Sequence, residues 1–147
     1  MELNTASSII SFAKKLEETG TKLYEDLAQR YMKDSEILLS FAKENKKNIL
    51  QIERTYYGVI SDALEGCFSF KINPDEYTLE TELAENAGYS DALNQAVEME
   101  GKITKFYFQA AEQAKFLLAD VPRAFVMVAK KRGDRSTKLG SLIDNKD

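Results

Sequence analysis

Hydrophobic residues recur at every third or fourth position through four long segments of the chain. This spacing places an apolar stripe along one face of an α-helix, with charged residues off the stripe. In the first segment the stripe comprises Leu16, Gly20, Leu23, Leu27 and Tyr31. The pattern predicts four amphipathic helices, at residues of about 5–32, 34–61, 90–117 and 121–144.

The connections between the predicted helices are short, long and short. Short connections make the first and second helices, and the third and fourth, antiparallel neighbours. The long connection, at about residues 62–89, is less regular and can hold a short extended piece or a helical turn. We therefore predict one all-α domain over residues 1–147, a four-helix up-down bundle of two helical hairpins joined by a crossover.

The second half of the chain repeats part of the first. Ala13-x-x-Leu16-Glu17-x6-Tyr24-x3-Ala28 matches Ala96-x-x-Met99-Glu100-x6-Tyr107-x3-Ala111, with an offset of 83 residues. Residues seven apart return to nearly the same helix face, so each glutamate shares a face with its tyrosine. Because these faces are otherwise apolar, both glutamates should point into the core. A buried carboxylate there needs a positive partner or hydrogen bonds.

Composition excludes several classes of function. The net charge of -4 and the pI near 5.1 argue against a nucleic-acid binder, which needs a basic face. The lone Cys67 allows no intramolecular disulfide and fits a reducing cytosol. Without a signal peptide or an apolar run of about 20 residues, the chain is expected to be cytoplasmic and not membrane-bound. The sequence contains no histidine, which excludes imidazole chemistry.

The repeated Glu-x6-Tyr helices are followed by Ala-Lys-Glu-Asn-Lys-Lys-Asn and by Ala-Lys-Lys-Arg-Gly-Asp-Arg. Over nearly its whole length the chain resembles the ferritin-like superfamily, closest to rubrerythrin-type four-helix bundles. The resemblance implies that helices one and three each supply one glutamate, and helices two and four each a Glu-x-x-His motif. Together these residues hold two iron or manganese ions, which react with oxygen or peroxide or oxidise iron for storage.

The resemblance also implies that this centre has changed here. Its six ligand positions fall on Glu17, Asn45, Asn48, Glu100, Arg132 and Arg135. Only the two glutamates keep the family's residue. Asparagine offers a neutral carbonyl, and arginine is always protonated and cannot ligate a metal. We therefore expect a vestigial di-iron site, with no metal or other cofactor and no catalytic residue.

Charge suggests what replaced the metals. Four carboxylates around two divalent ions sum to zero, and so do Glu17 and Glu100 beside Arg132 and Arg135. We predict a buried Glu–Arg network, with hydrogen-bonding neighbours at Asn45, Asn48, Tyr24 and Tyr107. Carboxylates more than about 6 Å from either guanidinium would contradict it. Two alternatives stay open: the glutamates lie on the surface, or the arginines extend outward to solvent.

Two functions follow from this pattern. The first is a non-catalytic structural or interaction module with an unknown protein partner, expected to form a homodimer through aromatic residues Tyr56, Tyr57, Phe68, Phe70, Tyr77 and Tyr89. The alternative is a divergent ferritin-like metalloprotein, binding iron or manganese. It would use Glu17 and Glu100 with Glu44, Glu98 or Asp134, and as an enzyme it would be a rubrerythrin-like oxidoreductase. A small-molecule pocket in the vacated core is a third possibility.

Overall fold

The computed structural model describes residues 2–59, 70–114 and 120–144. Four long helices make up most of these residues: α1 (Ala6–Arg30), α2 (Ser35–Val59), α3 (Tyr89–Gln113) and α4 (Asp120–Asp144). Their ends lie within four residues of the predicted ones. No helix in the described ranges is long and apolar enough to cross a membrane.

The helices form two hairpins. α1 packs along α2, and α3 packs along α4, while α2·α4 and α1·α3 contacts join the two pairs. The apolar stripes of all four helices meet in one core. The predicted all-α bundle of two hairpins joined by a long connection is therefore confirmed.

The described part of the crossover, residues 70–88, packs against α1 and α3. Leu3 and Ile72 form an isolated antiparallel bridge, in which the Leu3 amide donates to the Ile72 carbonyl at 2.7 Å. A 3-10 turn follows at Pro74–Tyr77. Farther along, Arg30 donates to two crossover carbonyls, and Lys102 Nζ donates to that of Thr78 at 2.8 Å. The connection thus contains both an extended contact and a helical turn.

The crossover aromatics correct one expectation. Phe70 and Tyr77 are each only 1% exposed, because both are packed into the chain's own core. Neither is therefore available to a subunit interface. Tyr89 is half-buried and donates its hydroxyl hydrogen bond to Asp34. Cys67 and the side chains of Tyr56, Tyr57 and Phe68 lie outside the described residues.

Candidate functional site: a buried glutamate–arginine network

Six polar side chains meet at the centre of the bundle. They are Glu17, Asn45, Asn48, Glu100, Arg132 and Arg135, with exposures between 0% and 2%. Every helix contributes at least one of them. They are also the six positions on which the ferritin-like resemblance places metal ligands. Since water cannot solvate these groups, their hydrogen bonds and charges must be satisfied within the protein.

Arg132 bridges the two glutamates. Its Nη1 donates to both carboxylate oxygens of Glu100, at 2.9 and 2.8 Å, and its Nη2 donates to Oε2 of Glu17. Burial by itself would lower the pKa of Arg132, but the charges of Glu100 and Glu17 outweigh it and raise that pKa. The guanidinium therefore remains a cation between two carboxylates.

Arg135 connects the same network to the surface. Its Nη1 donates to Asn45 Oδ1 at 2.7 Å and to Glu100 Oε2 at 3.3 Å, while its Nη2 donates to Glu44. The guanidinium also lies 4.9 Å from the Phe41 ring centroid, within range of a cation–π interaction. The Glu44 side chain is 40% exposed. The sequence analysis considered Glu44 only as a metal ligand of the alternative function, and it did not predict this contact with Arg135.

The two asparagines act as hydrogen-bonding partners of α1. Asn48 Nδ2 donates to Glu17 Oε1 at 2.9 Å, and Asn45 Nδ2 donates to the Glu17 backbone carbonyl at 3.3 Å. Within the described ranges, Asn48 Oδ1 has no hydrogen-bonding partner. The amides therefore hold the Glu17 carboxylate and the α1 backbone in place.

Each repeated tyrosine lies beside the glutamate of the other half. Tyr24 donates a hydrogen bond to Glu100 Oε2. The Tyr107 hydroxyl lies close enough to Glu17 for the carboxylate to raise the pKa of the phenol. It has no hydrogen bond of adequate geometry to a described residue. Burial first, and then the nearby carboxylates, raise the pKa of both phenols well above the usual value. Both tyrosines are therefore protonated at neutral pH.

Gly20 leaves the room that the network needs. A β-carbon at this position would lie 3.2 Å from Asn45 Nδ2, 3.6 Å from the end of Met99 and 3.8 Å from Arg132 Nη1. The backbone of α1 thus approaches the polar centre more closely than a larger residue would permit. The hydrophobic pattern placed Gly20 on the inward stripe but gave no indication of this role.

The predicted buried Glu–Arg network is confirmed. Both glutamates lie within hydrogen-bonding distance of a guanidinium, well inside the 6 Å limit set from the sequence. The two alternatives, surface glutamates and outward arginines, are wrong, because both arginines and both glutamates are buried. Their four charges sum to zero.

The side chains of this site do not offer suitable ligands for a pair of metal ions. All four carboxylate oxygens of Glu17 and Glu100 already accept hydrogen bonds from side chains of the protein. Of the three further acids that the metalloprotein alternative could use, Glu98 and Asp134 are exposed, and Glu44 is paired with Arg135. In the part of the chain that the structure describes, no three acidic, cysteine or histidine residues are grouped to hold a metal.

No protein-family model matches the chain, and neither a curated protein nor a solved structure is significantly similar to it. The four-helix bundle and its buried network therefore stand on the structure alone. The resemblance to the ferritin-like superfamily rests on the residue pattern described above.

Proposed function

We propose that the chain is a non-catalytic bundle of the ferritin-like, rubrerythrin type, kept as a structural or interaction module. In this proposal a Glu–Arg network stands where the family holds two metal ions. One observation carries it: all six positions of the ligand pattern are buried and converge in one hydrogen-bonded, charge-balanced cluster.

The electrostatics of the cluster support this proposal. Two divalent ions bring about four positive charges, which a low-dielectric core accepts only beside several anionic ligands. Here Glu17 and Glu100 are the only acids among the six residues, and both already contact guanidinium groups. Adding metal ions would place cations against Arg132 and Arg135.

We propose that the partners of this module are proteins. Leu39 and Leu50 of α2 are 48% and 59% exposed, and we propose them as contact residues in a homodimer or with another protein. The net charge of -4 disfavours nucleic acid. A single cysteine agrees with a cytosolic setting.

Metal analysis tests the proposal. The chain is purified after expression with added iron or manganese, and its metal content and thermal stability are measured. The matched variant N45E/N48H/R132E/R135H reinstates the two Glu-x-x-His motifs. We expect no stoichiometric metal in the native chain and about two ions per chain in the variant.

For both the native chain and the variant, one result would contradict the proposal. One or two metal ions per native chain, with activity toward peroxide, would favour the divergent metalloprotein instead. A variant that is helical by circular dichroism yet binds no metal would show that the six positions are not equivalent to the family's ligands. Light scattering of the native chain tests the homodimer separately.

A further inference from the structure

The two hairpins carry opposite buried charge. Among the described residues of the α1·α2 hairpin the buried charged residue is Glu17, accompanied by neutral Asn45 and Asn48. In the α3·α4 hairpin, Glu100 is outnumbered by Arg132 and Arg135. The first core face therefore has a net charge of minus one and the second plus one. Glu44, at the rim of the first hairpin, adds to its negative sign.

Several hydrogen bonds of the network cross from one hairpin to the other. Arg132 of α4 reaches Glu17 of α1, and Arg135 of α4 reaches Asn45 of α2. Tyr24 of α1 reaches Glu100 of α3. The contacts that neutralise the buried charges are thus made partly at the surface where the hairpins meet.

Apolar packing alone would distinguish the two hairpins poorly, because they are repeats. The members of the repeated motif are buried at corresponding positions: Ala13 and Ala96, Leu16 and Met99, Tyr24 and Tyr107, Ala28 and Ala111. Two copies of one hairpin, taken from two chains, would present similar apolar faces to each other. Another feature must therefore select the pairing of an α1·α2 hairpin with an α3·α4 hairpin.

We propose that the division of buried charge selects it, so that the α1·α2 hairpin accepts only an α3·α4 hairpin as its partner. Two α1·α2 hairpins together would bury two carboxylates with no buried cation. Two α3·α4 hairpins would bury four guanidiniums with two carboxylates. An unpaired buried charge is strongly destabilising, so both like pairings are excluded. The complementary hairpin can come from the same chain or from a second copy that exchanges hairpins.

This inference does not depend on the proposed function, since it uses only burial, charge and the repeat. Two full-length variants test it, each lacking one glutamate and one arginine. In E100Q/R135Q the first hairpin keeps minus one and the second plus one, so the surviving Glu17–Arg132 pair spans the hairpins. In E17Q/R132Q both hairpins become neutral, and the surviving Glu100–Arg135 pair lies within the second.

The readout is the distribution of molar mass by size exclusion with light scattering, after refolding at several concentrations. We expect the native chain and E100Q/R135Q each to give a single dominant species. For E17Q/R132Q, where like hairpins can pair without burying net charge, we expect the fraction in larger species to rise by about tenfold or more. Equal distributions for the two variants would overturn the proposal.

A third variant covers the case in which neither double variant folds. E17M/E100M/R132M/R135M removes all four charges and fills the space with flexible apolar side chains. The proposal expects a folded protein that populates several association states. A single species of native size would contradict it. An unfolded quadruple variant would also contradict it, because the charges would then hold the fold together rather than choose the partner.

Discussion

Tyr24 of α1 donates its hydroxyl hydrogen bond to Glu100, the glutamate that belongs to the other repeat. Tyr107 stands in the corresponding place beside Glu17, but without a hydrogen bond of adequate geometry to any described residue. Each tyrosine therefore lies beside the glutamate of the other repeat, but the two tyrosines differ in their hydrogen bonding. This inequality supplies a matched pair of substitutions.

Replacing Tyr24 with phenylalanine should lower the free energy of unfolding by about 1.5–3 kcal/mol, the range for a hydrogen bond to a charged group. The same change at Tyr107 removes a hydroxyl that lies near Glu17 but has no hydrogen bond of adequate geometry to a described residue, so it should cost less than the change at Tyr24. Urea denaturation of both variants measures the difference. Equal losses would mean that the two phenols contribute alike, contrary to the observed geometry.

Removing Arg132 should be far more costly than removing a surface cation. Arg132→Met leaves two buried carboxylates with Arg135 alone, and we expect a loss of about 3–5 kcal/mol in the free energy of unfolding. The reference is Lys14→Met, which breaks an exposed 3.9 Å pair with Glu53 and should change that free energy by less than about 1 kcal/mol.

Removing the matching negative charge should restore part of this loss. The double variant E17Q/R132M buries no net charge, so it should be more stable than Arg132→Met alone. Chemical denaturation of the single and double variants gives the coupling energy. Additive losses at Glu17 and Arg132 would show that the two side chains do not act as a pair.

The free energy of unfolding should decrease as the pH rises above about 10. Burial, and then nearby carboxylates, raise the pKa of Tyr24 and Tyr107 above 10.0 in the folded protein, whereas unfolded tyrosines titrate near 10. Below about pH 10 both tyrosines are protonated in the folded and the unfolded protein, so their full contribution to the free energy of unfolding is present. As the pH rises toward the folded pKa, the unfolded chain loses protons that the folded chain retains, and stability declines.

Unfolding free energies at several pH values above 9, with tyrosinate absorbance, measure this decline. Y24F/Y107F should flatten it without abolishing it, because the pKa values of Tyr77 and Tyr89 are raised as well. If all tyrosines of the folded protein ionised together near pH 10, the buried environment inferred for the two core phenols would be wrong.

Gly20 and Gly101 should respond oppositely to the same substitution. Gly20→Leu pushes a side chain into Asn45, Met99 and Arg132, and should lower the free energy of unfolding by about 1–3 kcal/mol. Gly101 has open space around its β-carbon position. Gly101→Leu should therefore raise that free energy by about 0.5–1 kcal/mol, because leucine favours the helix more than glycine does. Thermal denaturation monitored by circular dichroism compares the two.

The helices were predictable because their signal is local. A stripe with a period near 3.6 residues persists through each long segment, and the predicted 34–61 became Ser35–Val59. The burial of Glu17 and Glu100 was predictable as well, because the repeat placed each on an apolar face with a tyrosine. The helices and these two buried positions could therefore be predicted from the sequence without knowing which helices contact each other.

Contacts between helices were harder to predict. Nothing local to Glu44 indicates that it meets Arg135, which is 91 residues away. Phe70 and Tyr77 were predicted to serve an interface because ferritin-like chains commonly pair, and no local pattern around them indicates burial. Only the folding of the crossover onto α1 and α3 shows that they are buried.

The positive charges that neutralise Glu17 and Glu100 are covalent parts of the same chain. They are synthesised with the carboxylates in a fixed ratio, one guanidinium for each. A chelator cannot extract them, and a shortage of any ion in the cell cannot leave those two glutamates without counter-charge. In this bundle the counter-charges of Glu17 and Glu100 are therefore encoded in the sequence and do not depend on the supply of an ion.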